Sequence, residues 1–223
     1  MTRENGWNYA NVFETIADTL PEHLAQAQGA REFTWREFDR RADGIARALL
    51  DAGLTVRPDG YQDKVAQYLY NCPEYLESVF AAFKAGMATV NTNYRYGPDE
   101  LVYLWDNADV MAVVFHGVFA DTIEQVRGRV PRIRLWLWVD DGHGPCPPWA
   151  TPYEPLATRA LDGSIGRTQG PWGRSGEHLF MLYTGGTTGM PKGVMWPQAE
   201  MFCALDSTTK QPYPEVADYA LLA

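Results

Sequence analysis

One segment of this chain, from Tyr183 to Gly193, gathers the residue types that could hold a polyphosphate. Its eleven residues include four glycines, three threonines and one lysine. Glycine lets the backbone approach a ligand closely, so that its N–H groups can donate hydrogen bonds to phosphate oxygens. Threonine hydroxyls add donors, and Lys192 adds a mobile positive charge. The segment therefore predicts a phosphate-binding loop.

Apolar runs on both sides of the loop predict two buried strands, 179–183 before it and 194–196 after it.

Two familiar phosphate loops do not fit the spacing. The Walker pattern needs a Gly-Lys-Ser/Thr triplet, whereas Lys192 stands between Pro191 and Gly193. The dinucleotide-binding pattern needs Gly-x-Gly-x-x-Gly at the start of a helix, and a strand-like run follows here. The other alternative is an ordinary glycine-rich surface loop, which the three threonines and the Pro-Lys-Gly exit argue against.

The elements that must position this loop follow from apolar spacing and from capping residues. Thr34 and Glu37 form a capping-box pattern before a helix that Gly53 closes, and Asn71 with Pro73 predicts another helix start. The helix that begins near Pro73 is predicted to cover 74–84. The remaining predicted helices are 11–20, 98–107 and 119–129. The predicted strands are 64–70, 87–90, 110–115, 133–139 and 179–183.

This alternation of strands and helices predicts an α/β fold with a mainly parallel sheet covered by helices on both faces. Ligands of such sheets bind at the carboxyl ends of the strands, and the loop begins just after Tyr183, at the end of a predicted strand. Residues 140–176 are rich in glycine and proline, and they predict a long connection with a short helix near 155–161.

The loop also resembles a known family. Residues 184–193 are similar to the signature phosphate loop of the AMP-forming acyl-CoA synthetases, which belong to the adenylate-forming superfamily. The commoner form has Ser-Gly where this chain has Gly185 and Gly186. Met190 and the Val-Met-Trp exit look most similar to fatty-acid and steroid-side-chain CoA ligases. Weaker similarities occur at residues 33–38, 71–75, 82–86, 90–93 and 98–103, so the resemblance covers about residues 8 to 200.

The resemblance implies a two-step reaction. A carboxylate attacks the α-phosphorus of ATP and expels pyrophosphate, and the thiol of CoA then displaces AMP to form a thioester. Mg²⁺ would bridge the phosphate oxygens, and Lys192 would offset the charge that grows on pyrophosphate. The resemblance implies that the ATP phosphates contact Thr184, Gly185, Gly186, Thr187, Thr188, Gly189 and Lys192.

Members of this family are more than twice as long as the 223 residues here, so the resemblance also implies what this chain lacks. We expect residues 1–223 to form the N-terminal part of an AMP-binding domain, without the mobile C-terminal domain, the CoA site and the catalytic residues. The chain alone should then be inactive, and it should either be poorly soluble or associate with a missing C-terminal half. Three alternatives stay open at this point: a non-catalytic ATP-binding fragment, a non-catalytic remnant that binds no nucleotide, and adenylation of another carboxylate by an amino-acid-activating or fatty acyl-AMP-forming enzyme.

Composition limits the other function classes. Hydrophobic residues make up 46%, which is enough for a sizeable core. The net charge of -9 argues against a nucleic-acid surface, which needs a basic stripe. Three cysteines without a CxxC pair indicate a reducing compartment. No signal core or membrane-spanning stretch is visible, so the expected location is the cytoplasm.

Other residues that could do chemistry have simpler structural interpretations. The four histidines are scattered without metal-binding spacing, so the sequence predicts no metal site. Two aromatic pairs with alternating spacing, Trp136/Trp138 and Tyr94/Tyr96, are expected to pack in the core or on a sheet face. The adjacent carboxylates at 140–141 are expected to be a solvated strand end.

Overall fold

The computed structural model describes residues 6–184, 191–206 and 213–222 of the chain. The helices are α1 (Tyr9–Thr19), α2 (Trp35–Asp51), α3 (Pro73–Ala85), α4 (Pro98–Asn107), α5 (Ala120–Val126), α6 (Tyr153–Thr158) and α7 (Gln198–Asp206). Short 3-10 helices occupy Gly117–Phe119, Arg127–Arg129 and Tyr219–Leu222. Within the described ranges, none of the helices has both the length and the apolar character needed to cross a membrane.

The strands form one small sheet and one large sheet. They are β1 (Leu24–Gln28), β2 (Arg31–Thr34), β3 (Lys64–Tyr68), β4 (Ala88–Asn91), β5 (Val110–His116), β6 (Leu135–Val139), β7 (Thr151–Pro152), β8 (Leu179–Thr184) and β9 (Lys192–Pro197). Strands β1 and β2 form an antiparallel hairpin. The large sheet has the order β7-β6-β5-β3-β4-β8-β9. All its neighbouring pairs are parallel except β8 and β9.

Each face of the large sheet is buried under its own hydrophobic core. On one face, Val65, Val114 and Leu137 pack with residues of α2 and α3. On the other, Val113 and Phe115 pack with residues of α4 and α5. Because the side chains of a strand alternate between its faces, a strand buried on both sides is apolar throughout. The predicted parallel α/β sheet with helices on both faces is therefore confirmed.

Local signals in the sequence set most of the helix ends. The predicted capping box is present, with the Thr34 hydroxyl accepting from the Glu37 N–H and the Glu37 carboxylate accepting from the Thr34 N–H. Pro73 starts α3 as expected, but the N-cap is Cys72 and not Asn71, so that prediction was wrong by one residue. Helix α3 ends at Gly86, whose φ of 81° lies in the left-handed region that glycine adopts without strain.

Three differences from the sequence predictions concern segments without a clear apolar period. The predicted helix 119–129 is shorter, because α5 ends at Val126 and a 3-10 turn follows. The β1–β2 hairpin was missed, since its strands are short and lie partly exposed, and the only alternating apolar residues of β1 are the small Ala25 and Ala27. The long connection contains α6 as predicted, together with the two-residue strand β7.

A buried ion cluster joins the first three helices. The Lys84 ammonium of α3 is fully buried. It lies 2.7 Å from Glu14 of α1, and 2.7 and 2.8 Å from Asp39 and Asp43 of α2. Arg174 contributes a second cation to Glu14. This lysine interrupts an apolar run in the sequence, and its charge is met by three carboxylates from two other helices.

Candidate functional site

The two ends of the loop lie opposite each other on neighbouring strands. Thr184 is the last residue of β8 and Lys192 is the first of β9, and the two are partners in the antiparallel register. Directly opposed residues project their side chains from the same face of the sheet. Both side chains are exposed. The other proposed phosphate-binding residues, Gly185, Gly186, Thr187, Thr188 and Gly189, lie outside the described part of the chain.

The strand after the loop is exposed, so the prediction of a buried strand at 194–196 was wrong. Exposed fractions are 40% for Val194, 62% for Met195 and 38% for Trp196. Among the described residues their strand, β9, is at the end of the sheet order and pairs with β8 alone. An apolar run predicts a strand, but it does not report how many neighbours that strand has.

Strand β8 places the loop at the ligand-binding edge of the sheet. Because β8 is parallel to β4, which is parallel to β3, its carboxyl end lies on the same edge as theirs. That edge is where α/β proteins bind their ligands. The two described ends of the loop, Thr184 and Lys192, therefore lie at the expected position for a nucleotide loop.

Two side-chain carboxamides attach β8 to the rest of the sheet. The β4–β8 register contains a single residue pair, Val90 with Met181. Beyond it, the Asn91 amide accepts a hydrogen bond from the Tyr183 N–H at 2.8 Å and donates to the Tyr183 carbonyl at 3.4 Å. At the other end, Gln62 accepts from the Leu179 N–H at 2.7 Å. Asn91 thus replaces a missing backbone ladder one residue before Thr184.

The far end of the loop is held from α4 and by ring packing. The Tyr103 hydroxyl donates to the Pro191 carbonyl at 3.4 Å. The Tyr183 hydroxyl donates to Asn107 at 2.8 Å, and its ring lies over the backbone of Gly193. Burial raises the pKa of Tyr183, and the nearby Tyr103 adds to that shift, so the phenol stays protonated and able to donate. Gly193 therefore provides space for a ring, which is a structural reason for a glycine in the loop motif.

Aromatic side chains occupy the neighbouring strand ends. The Tyr70 ring, after β3, lies 4.9 Å from the Tyr94 ring and 5.8 Å from the His116 ring. The Tyr70 N–H donates to Nδ1 of His116 at 3.0 Å, and burial lowers the pKa of this histidine. Tyr94 is 41% exposed and lies beyond the end of β4, so the expectation that it packs in the core or on a sheet face was wrong, whereas Trp136 and Trp138 are buried as predicted.

The described residues contain no group of three or more His, Cys, Asp or Glu side chains able to hold a metal ion. The carboxylates at 140–141 instead shape their own turn, because Asp141 accepts from the N–H groups of Val118 and His143. Lys192 forms no ion pair with a described acidic side chain, so its ammonium faces solvent. The described loop ends therefore provide hydrogen-bond donors that could bind an anion.

Sequence reasoning missed the residues that hold the loop: Asn91, Tyr103, Asn107 and Gln62. Their roles depend on contacts between segments 70 to 120 positions apart, which no local pattern reports. Asn91 did carry a weak signal, since an amide directly after an apolar strand lies at the edge where ligands bind.

Comparison with known proteins matches residues 13–221 to a family described as AMP-binding enzymes. A medium-chain acyl-CoA ligase, Mig, from Mycobacterium avium is 32% identical over 204 residues, covering 86% of this chain and 36% of the relative. A medium/long-chain-fatty-acid and 3-oxocholest-4-en-26-oate CoA ligase from Mycobacterium tuberculosis is 35% identical over 205 residues, covering 89% and 35%. The chain therefore spans about a third of the length of these relatives.

Among solved structures, the anthranilate CoA ligase AuaEII in complex with anthranoyl-AMP superposes with a TM-score of 0.74 at 21% identity. The superposition covers 88% of this chain and 36% of that enzyme. At this identity the likeness shows a shared fold. It agrees with the parallel sheet and its helices.

Proposed function

The chain belongs to the family of AMP-binding enzymes, and on that premise we propose that residues 1–223 form the N-terminal part of an adenylation domain and bind the phosphates of ATP. The observation that carries the proposal is the position of the two described loop ends. Thr184 and Lys192 are paired at the carboxyl edge of the parallel sheet.

The reaction that this part serves is the activation of a carboxylic acid. The acid carboxylate attacks the α-phosphorus of ATP and pyrophosphate leaves, which gives an acyl-adenylate. The thiol of CoA then attacks the acyl carbon, AMP leaves, and a thioester forms. The names of the relatives support a medium- or long-chain fatty acid, or a steroid side-chain acid, as the substrate class. Residues outside this chain would hold CoA.

Each of the loop residues contributes to binding the phosphates of ATP. Lys192 places its ammonium against the β- and γ-phosphates and balances the charge that collects on the departing pyrophosphate. Thr184, Thr187 and Thr188 donate hydroxyl hydrogen bonds. Backbone N–H groups of Gly185, Gly186 and Gly189 donate to the same oxygens. Asn91 and Tyr103 act indirectly, because their hydrogen bonds fix the positions at which the loop leaves and rejoins the sheet.

Mg²⁺ would accompany ATP and bind phosphate oxygens. The described residues contain no group of three or more His, Cys, Asp or Glu side chains that could hold it, so the metal would enter with the nucleotide.

The test is a calorimetric titration of the 223-residue chain with ATP and with inorganic pyrophosphate. Lys192→Ala should weaken binding of both at least about tenfold, because one charge-assisted contact is lost. The control is Arg36→Ala, which removes another exposed positive charge, at the start of α2, and should leave both affinities within about twofold. Equal affinities in the wild type and Lys192→Ala would contradict the proposal.

A further inference from the structure

A cavity of about 400 Å³ lies beneath the sheet face that carries the first core. Its floor is formed by β3, β4 and β8, and its walls come from β1, α1, α2, α3 and α7. Leu76 and Leu205 line it while 52% and 64% exposed, so they lie at its mouth. The volume falls in the range of cavities that bind small molecules.

The lining of the cavity is apolar and largely aromatic. Its main contributors are Tyr9, Phe13, Phe38, Val79, Phe83 and Phe180. None of the described lining residues is Lys, Arg, His, Asp or Glu. Burial raises the pKa of Tyr9 to about 12 and also raises the pKa of Tyr75, so both phenols are neutral at physiological pH. A charged ligand would therefore lose its hydration without gaining an opposite charge.

One polar side chain on the floor has an unused hydrogen-bonding capacity. Gln67 of β3 is fully buried, and neither its Nε2 nor its Oε1 has a hydrogen-bond partner among the described residues. The adjacent Asn91 directs its carboxamide to the Tyr183 backbone, and no hydrogen bond joins it to Gln67. A buried polar atom without a partner is destabilising, because it has lost its hydration without gaining a hydrogen bond. A ligand that satisfies both amide atoms removes that destabilisation.

We propose that this cavity binds a neutral, mainly apolar small molecule that ends in a carboxamide-like edge, with one donor beside one acceptor. The Nε2–H of Gln67 donates a hydrogen bond to the ligand acceptor, and the ligand N–H donates a hydrogen bond to Oε1, so that two parallel hydrogen bonds form. Its apolar body lies against the aromatic walls. The proposal rests on the cavity and on Gln67 alone, so it stands or falls separately from nucleotide binding.

The probe is octanamide, titrated calorimetrically into the 223-residue chain. Its matched partner is N,N-dimethyloctanamide, which keeps the acceptor and lacks the donor, and octanoate at pH 7.5 tests the charge. We expect octanamide to bind at least about tenfold more tightly than either of the other two. Equal binding of the two amides, tighter binding of octanoate, or no binding of octanamide would overturn the proposal.

Three variants assign the binding to this cavity. Gln67→Leu should abolish the preference for octanamide over its dimethyl analogue, and Val79→Phe should abolish binding of both by filling the wall. Gln28→Leu, which removes an exposed amide outside the cavity, should change nothing. A preference that survives in Gln67→Leu contradicts the proposal. If Gln67→Leu does not fold, the test is the NMR resonances of the Gln67 Nε2–H groups in the wild-type chain. Octanamide should shift these resonances, and the dimethyl analogue should shift them less.

Discussion

Tyr183 and Gly193 show how closely the residues at the loop ends fit one another. They are partners in the β8–β9 register, and the Tyr183 ring covers the place where a side chain at 193 would begin. A Cβ added to Gly193 would lie 2.9 Å from the ring carbon Cζ, and the ring is held in place by Asn107. The packing of the Tyr183 ring thus favours glycine at position 193.

Gly193→Ala should lower the free energy of unfolding by about 1–3 kcal/mol, because overpacking forces the ring away from Asn107. Urea unfolding measures the loss. Gly128→Ala is the matched control, since nothing lies within 4 Å of its added Cβ. In a Tyr183→Ala background the cost at 193 should disappear, as expected for two residues in contact. An undiminished cost there would show that the ring is not the cause.

The sequence predicted the residue types of the site but not the residues that position it. Lys192 and the threonines predict phosphate binding by their types and spacing, because a phosphate needs many hydrogen-bond donors within a short segment. Asn91 and Tyr103 are single polar residues in otherwise ordinary elements. Their importance arises from tertiary contacts with β8 and Pro191, which the local sequence does not encode.

At the scale of elements, the buried cluster around Lys84 joins α1, α2 and α3. Burial raises the pKa of Asp43 even though Lys84 lies 2.8 Å away, which shows how much desolvation this carboxylate bears. A buried ion pair contributes little compared with apolar residues, but removing one partner leaves an uncompensated charge. The three helices therefore depend on Lys84 more than its position in an apolar run suggests.

Lys84→Met should cost about 3–5 kcal/mol in the free energy of unfolding, because three buried carboxylates lose their shared cation. Chemical denaturation followed by circular dichroism gives the value. Arg47→Met, which breaks an exposed ion pair on α2, should cost less than about 1 kcal/mol. Adding Asp43→Leu to Lys84→Met should recover part of the loss. A cost below about 1 kcal/mol for Lys84→Met alone would contradict this account.

His178, at the entrance to β8, should make stability depend on pH. Burial, reinforced by the charge of Arg174, lowers the pKa of His178 to about 4. The folded state keeps this imidazole neutral, whereas the unfolded chain protonates it below about pH 6.5. Its contribution is therefore present above pH 6.5 and is lost as the pH falls toward 4.

Between pH 7.5 and pH 5 this loss should amount to about 2 kcal/mol. The measurement is urea unfolding of the wild type and of His178→Gln at both pH values. The variant should lose less stability than the wild type on acidification, by that amount. The same pH dependence in both proteins would show that other groups, and not His178, govern the acid side.

Element types were predictable where one apolar period dominated, as in α2, α3, β5 and β6. They were not predictable where contacts decide, as in the exposed hairpin β1–β2. The burial of β9 was predicted wrongly for the same reason. Its apolar residues fit either an inner or an edge strand, and only the sheet order separates the two.

For the molecule as a whole, one edge of the large sheet is an exposed apolar strand. Edge strands with unpaired backbone groups can pair with another chain, and proteins usually protect them with charge, proline or short length. In β9 the centre of the strand, Val194 to Trp196, has none of these protections. The net charge of -9 opposes close approach of two copies, though salt screens that repulsion.

We expect the chain to self-associate through β9 as its concentration rises, and more so in high salt. Met195→Lys should shift the association to at least about tenfold higher concentration, because it places a charge on the edge. Leu161→Lys makes the same charge change at an exposed leucine away from the sheet edge and should have little effect. Sedimentation velocity distinguishes the two. Equal behaviour of both variants would remove β9 from the interface.

The burial of Lys84 has a practical consequence for anyone handling this protein. The chain has four lysines, at positions 64, 84, 192 and 210. An amine-reactive reagent meets an exposed Lys192 in the native chain but cannot reach Lys84, and Lys64 is 95% shielded beside the ring of Tyr61. In acetylation followed by mass spectrometry, modification at Lys84 therefore marks molecules that have opened, whereas the exposed Lys192 is modified in the folded chain.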